Sequence, residues 1–421
     1  MWCKRLKKFK DVDARDEEDL TPLHYVARYK RERVKKSEMA QFLDETLPSK
    51  PSEGDLPMRR IDLQDDFSKS VCKFLIQKNA KINIEDKYGQ TPLHYAAMRG
   101  NEIVAKELLS LPGINFEAQD KQGMRPIHMA ATHNQESICS MLLEAGCEIR
   151  CQDNEKLTPL HCASTEGKLG IVKILFEAAE SRGSWVSVAD MLADRDCDYN
   201  TPLHLAVENG NYETVKLLLQ KKANINTPAD NYMYPLHLAA KAGDLNSVKM
   251  LVDYKARIDV RNINMATPLH IAAQYNHKDI VEFILEQPSP PLEYRDKDGY
   301  TALLIASTYG HADTIHILLR READYEAVER NDKTAIYLAS EEDKPDALLA
   351  LLKYKAVRNM INIGDRFDND PLHIAAMKGY LNVLKILLEN GANPESKNEE
   401  EQTPLHLAAT TGRTLYVSRQ V

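Results

Sequence analysis

The chain has 421 residues, and its 55 Lys and Arg against 63 Asp and Glu leave a formal charge of −8. That balance disfavours nucleic acid as a main partner, because binding phosphates requires a basic field. No apolar stretch approaches the roughly 20 residues needed to cross a bilayer, no apolar core follows the charged N-terminus as in a secretory signal, and seven scattered cysteines suggest reduced thiols; a cytosolic location is expected.

Residues 1–11 form a basic tail in which Lys4, Arg5, Lys7, Lys8 and Lys10 are interleaved with Trp2, Leu6 and Phe9. Its plain reading is a solvated tail, and the alternative is weak attraction to an anionic membrane. From 12 to 421 one phrase organises the chain. It starts at 21, 91, 125, 158, 201, 234, 267, 301, 334, 370 and 403, in steps of 70, 34, 33, 43, 33, 33, 34, 33, 36 and 33. It reads Thr-Pro-Leu-His in full at Thr91, Pro92 and His94; Thr158, Pro159 and His161; Thr201, Pro202 and His204; Thr267, Pro268 and His270; and Thr403, Pro404 and His406.

Each letter suits the start of a helix. The Thr hydroxyl is an N-cap that accepts from an N–H one turn inside. Pro takes the first helical position, where its missing N–H costs nothing. Leu opens the apolar face, and His is placed to bond the Thr hydroxyl or a neighbouring hairpin carbonyl and so lock one turn to the next. Small residues such as Ala206 let paired helices approach closely. A turn, an apolar run for an outer helix and a hairpin follow, as at 208–226.

Some copies depart from the phrase: Arg125, Tyr234 and Asp370 replace Thr, Ala302 and Ala335 replace Pro, and Leu304 and Tyr337 replace His. Arg125 and Tyr234 should weaken their repeats by the roughly 0.5–2 kcal/mol of a lost cap, whereas Asp370 can still cap. After the outer helices Gly146 and Gly391 keep the usual glycine, but Asn79, Lys222, Lys255 and Glu322 replace it and are expected to bear the cost of a left-handed conformation.

A period of 33 residues carrying Thr-Pro-Leu-His-x-Ala resembles the ankyrin repeat, a hairpin followed by two antiparallel helices. The resemblance implies an all-α ankyrin-repeat solenoid of about eleven repeats with β-hairpin loops, the last incomplete, whose concave face of hairpins and inner helices binds protein partners. Tyr88, Tyr199, Tyr232, Tyr300 and Phe367, at or near the hairpin tips, are candidate partner-binding residues; the competing reading is ordinary packing between turns. Nine of the thirteen histidines belong to the phrase and lie roughly 10 Å apart, too far to share a metal ion. No phosphate loop, G-x-S-x-G, H-E-x-x-H or dinucleotide fingerprint occurs, so no catalysis, metal or cofactor is expected. Cys162 reads as a core residue, while Cys147 and Cys151 flank a hairpin arm and are expected to be more exposed and candidates for redox sensitivity.

The irregular steps are more individual. The step of 70 shows only one outer helix, at 72–77, so a disordered insertion is expected at about 30–66, with the Pro- and Ser-rich 48–57 at its centre. The step of 43 adds an elongated loop at about 180–200, in which Trp185, Val188 and Leu192 can form a short amphipathic turn, and the step of 36 adds three residues near 358–365. No full outer helix follows the eleventh phrase before Val421, which reads as a fragment or truncated product.

These interruptions resemble part of the long cytosolic ankyrin array of the ankyrin-type transient receptor potential (TRPA) cation channels. The similar segments are 177–207, which runs through the elongated loop into Thr-Pro-Leu-His-Leu-Ala-Val; the Asn-Met-x-x-Pro-Leu-His run at 264–270; and the stretched hairpin 359–365. The resemblance implies a non-catalytic regulatory or gating region on the cytoplasmic side of the plasma membrane. The pore and the contacts of a homotetramer would belong to residues outside this chain, and no pore or sensor residue carries over. The alternative is a free-standing ankyrin scaffold or adaptor that mediates protein–protein interaction.

Overall fold

A computed structural model describes residues 12–28, 62–182 and 187–411, with side chains from 68 onward in the second of these segments. The basic tail, the part of the expected insertion from 30 to 61, Trp185 and residues 412–421 lie outside the described residues. Each phrase turns the chain from extended backbone into helix. Thr201 is extended at φ −91° and ψ 166°, and Pro202 begins the seven-residue inner helix Pro202–Glu208, of which all but Glu208 is buried. Gly100, Gly243, Gly310 and Gly379 close their inner helices in left-handed conformations. An outer helix follows, such as Leu245–Asp253, where the Asp244 carboxylate accepts from the Asn246 and Ser247 N–H groups. Outer helices bury one stripe only; Val248 and Leu251 are fully enclosed, each contributing roughly 1.5–3 kcal/mol.

Residues up to Ala223 form one compact unit and residues from Asn224 a second. In the first, inner helices Pro22–Arg28, Pro92–Arg99, Pro126–Thr132, Pro159–Thr165 and Pro202–Glu208 stack in chain order. Their outer partners are Asp62–Gln77, Glu102–Leu109, Glu136–Glu144, Leu169–Ser181 and Tyr212–Gln220. In the second unit Pro235–Ala242, Pro268–Gln274, Ala302–Tyr309, Ala335–Glu341, Pro371–Lys378 and Pro404–Thr410 stack in the same way.

No described residue lies in a strand; side chains and single backbone bonds hold the hairpins. Five residues before the phrase, an Asp, Asn or Glu oxygen accepts the N–H groups two and four residues on, as Asp86 does from Tyr88 and Gln90, both at 2.8 Å. Only the hairpin with Ala229 at that position lacks this turn. Two residues before each phrase the backbone is left-handed in all eleven copies, from Asp19 (φ 62°) to Glu401 (φ 60°), although only Gly89, Gly123 and Gly299 among them are glycine. Adjacent tips within a unit are joined by one N–H bond, as from Lys121 to the Tyr88 carbonyl at 2.9 Å and from Ile263 to the Asn231 carbonyl at 2.8 Å. The replacements Asn79, Lys222, Lys255 and Glu322 are left-handed, as their positions required.

The interruptions are structured where they are described. The first outer helix starts at Asp62 rather than 72, inside the region assigned to the insertion. In the 43-residue step, Ser187 accepts from the Asp190 N–H at 3.0 Å and opens Val188–Ala193. Met191 and Leu192 are its buried residues, whereas Val188 is only half-buried. Arg150 grips this helix end through Asp194 at 2.9 and 2.5 Å. The extra residues of the 36-residue step make a short helix, Lys355–Arg358, with Arg358 donating to the Leu352 carbonyl at 3.0 and 2.8 Å.

Candidate functional site

The phrase histidine joins one repeat to the next. His94 Nδ1 accepts the Thr91 N–H at 3.1 Å and lies 2.9 Å from Thr91 Oγ1, while Nε2 lies 3.0 Å from the Met124 carbonyl of the next hairpin. Since Nδ1 accepts an N–H and a carbonyl can only accept, the ring is neutral with its proton on Nε2. His24, His161, His237 and His270 reach the Gln90, Asn200, Ala266 and Tyr300 carbonyls in the same way, at 2.9 to 3.1 Å. Burial holds these rings below the ordinary histidine pKa, His128 and His237 at about 4. His204 and His406 make the same pair of bonds to Thr201 and Thr403. Pro92, Pro159, Pro202, Pro268 and Pro404 all occupy the first helical position.

The Thr hydroxyl differs from expectation. At Thr91, Thr201, Thr267 and Thr403 it makes no cap bond to the helix. Its single proton goes to the basic imidazole, 2.8 to 2.9 Å away. Thr158, Thr301 and Thr334 do accept from the N–H three residues on, at 3.4, 3.4 and 3.2 Å. Where the phrase departs, other chemistry fills the gap. Tyr337 donates its hydroxyl to Asp365 at 2.9 Å, reaching the next hairpin as histidine does elsewhere. Arg125 pairs with Glu117 and Glu148 at 2.6 and 3.0 Å. Asp370 caps Leu372 and His373 N–H groups at 3.0 and 2.9 Å and lies 2.7 Å from His373 Nδ1. Burial alone would lower His373, but the Asp370 carboxylate, together with the Gln402 carbonyl and Asp365, outweighs it, so His373 is raised instead.

The hairpin aromatics occupy three different positions. Tyr88 and Phe367, three residues before the phrase, are each 49% exposed, and Tyr199 and Tyr232, in the left-handed position, are 57% and 59% exposed. Tyr300, directly before the phrase, is only half-buried at the tip, and burial pushes its hydroxyl up to about 12; it belongs to the packing of the turn, and its carbonyl receives His270. These residues do not converge. Two hairpins separate Tyr88 from Tyr199 in the first unit, and three separate Tyr232 from Phe367 in the second. Ile263 and Met265, 56% and 42% exposed beside Tyr232, were not singled out by sequence.

The expectation for two cysteines is corrected. Cys147 and Cys151 are 0% and 1% exposed: Arg182, far along the chain, donates to the Cys147 carbonyl at 2.7 Å and to the Leu143 carbonyl, and His128 Nε2 lies 3.2 Å from the Cys151 carbonyl. Burial pushes the Cys147 thiol up to about 12 and raises Cys151 further, the opposite of an activated thiol. Cys162 is buried, as its core reading implied, and Cys197 is exposed at a hairpin. Among the described residues no group of His, Cys, Asp and Glu is placed to hold a metal ion, and no helix is long and apolar enough to cross a membrane.

A second set of stitches escaped the sequence reading. Ten residues after the phrase, Asn101, Asn211, His277 and His311 donate to the previous inner helix at Val26, Ser164, Lys241 and Gln274, at 2.8 to 3.1 Å. They satisfy carbonyls that a helix end leaves orphaned. The signal was available, since Asn or His recurs at that offset.

Stacked helix pairs, buried stitches and exposed tips define a repeat protein whose free surface serves contact. The chain belongs to the ankyrin-repeat family: the model for ankyrin repeats (3 copies) matches 64–153, 145–229, 224–292, 290–365 and 354–418. Over 118 residues it is 29% identical to the transient receptor potential cation channel subfamily A member 1 homolog of Caenorhabditis elegans, covering 28% of this chain and 10% of that one. Over 99 residues it is 31% identical to NF-kappa-B inhibitor zeta of Homo sapiens, 22% of this chain and 14% of the other. Over 147 residues it is 26% identical to the E3 ubiquitin-protein ligase KEG of Arabidopsis thaliana, 34% and 9%. The matched region is thus a small part of each relative's length.

Proposed function

We propose that this chain is the protein-binding ankyrin region of a TRPA-like cation channel subunit, held on the cytoplasmic side of the plasma membrane, where it regulates a pore carried by other residues of a homotetramer. The observation that carries the reading is the placement of the interruptions, at Val188–Ala193 and Lys355–Arg358, in an array similar to the Caenorhabditis elegans channel homologue. The concave face is its partner surface, with Tyr88, Tyr199, Tyr232 and Phe367 as exposed anchors. Tyr199 and Tyr232 are held left-handed, a conformation that costs a bulky residue about 1–2 kcal/mol.

The test is the continuous coding sequence past Val421 together with fractionation of the native product. Further repeats leading to six apolar helices, and recovery in membranes, are expected. A soluble product of this size would replace the channel reading with a free-standing adaptor, which the comparable match to NF-kappa-B inhibitor zeta favours as the second reading.

A further inference from the structure

We infer that a concave groove in the second unit docks a basic, aromatic-bearing segment, and that its occupant is residues 2–10 of a second copy of this chain. The inference rests on the protein-binding reading above and names a partner for it. The groove, of about 550 Å³, has an apolar floor of Ile374, Met377 and Leu407 from two consecutive inner helices. Its rim carries Phe367, Glu399 and Glu400, all exposed.

Four carboxylates line it against two cations. Glu341 is paired with Lys333 at 2.7 Å, and Asp365 accepts the Tyr337 hydroxyl at 2.9 Å. Arg366 lies over its neighbour Phe367 at 4.9 Å from the ring centre. Glu401 is held by Lys397 at 2.7 Å, whereas Glu399 and Glu400, on the rim, are left to meet an incoming charge. The site therefore offers an apolar bed, an aromatic edge already accepting a cation, and acidic groups facing water.

One segment of the chain has the opposite character. Residues 2–10 contain five Lys and Arg and no acid, with Trp2, Leu6 and Phe9 spaced to share one side if helical. We assign the contact to two copies, whose association then rises with protein concentration. Desolvated apolar anchors supply affinity, and the charges supply approach and register.

The experiment titrates a fluorescent peptide of residues 1–11 with the full chain and follows self-association of the full chain by sedimentation. Micromolar binding that weakens several-fold between about 50 and 300 mM salt is expected. The double reversal Glu399→Lys with Glu400→Lys should weaken peptide binding and self-association at least about tenfold, and Phe367→Ala about fivefold. Asp253→Lys, at the end of an outer helix, should leave both unchanged, and circular dichroism checks that every variant is folded. Equal binding by the groove variants, a peptide that binds only acidic vesicles, or a contact independent of protein concentration overturns the assignment. None of these outcomes touches the channel reading, which fractionation decides separately.

Discussion

At the scale of single residues, the neutral imidazoles make the stack sensitive to acid. His128 and His237, held at about 4 by burial, have folded-state pKa values below the roughly 6.5 of the unfolded chain. Their stabilisation is complete above pH 6.5 and is lost as pH falls towards 4. His373 is raised, so its share is complete below the unfolded value and is lost as pH rises through the folded one. Thermal melts should therefore show lower midpoints at pH 5 than at pH 7. In Asp370→Thr, where His373 joins the neutral class, the acid loss should steepen. His270→Ala should cost about 2–4 kcal/mol in chemical denaturation, because it leaves the Thr267 N–H and the Tyr300 carbonyl without their partner and opens a cavity.

At the scale of the element, left-handed positions are where sequence and backbone disagree. Lys255, at φ 71° after an outer helix, should be improved by Lys255→Gly. A gain of about 0.5–1 kcal/mol is expected, since the relieved conformation outweighs the added freedom of the unfolded chain. Thiol labelling tests the arm around Cys147. Cys197 should react readily at neutral pH and Cys147 at least about a hundredfold more slowly, with Arg182→Ala raising the Cys147 rate. The starts of the inner helices were legible because Thr-Pro-Leu-His encodes its own local geometry, whereas the use of the Thr hydroxyl on the imidazole rather than on the helix was legible only as one of two options. The burial of Cys147 was not, because its cover comes from Arg182 in the following repeat. For Tyr300 the competing reading of turn packing describes its place, since one residue of offset moves an aromatic from the exposed tip towards the turn.

At the scale of the whole molecule, the division at Ala223 should appear in unfolding. A stack held by nearest-neighbour interfaces loses cooperativity with length. His161→Ala should shift the transition of the first unit while leaving hydrogen-exchange protection in Pro371–Lys378 unchanged. The family was legible from the period of the phrase alone, whereas function was not, because each copy of the phrase is used up in capping and stitching. The stitch also has a sense of travel. Every described phrase histidine that meets a hairpin carbonyl finds it in the repeat that follows, never in the one before. The tip N–H groups and the Asn and His ten residues after the phrase donate the opposite way, so each face of a repeat carries its own fixed set of donors and acceptors. The set that completes such a face is the one the following repeat presents. Splicing, swapping or extending these repeats preserves the seam only head to tail.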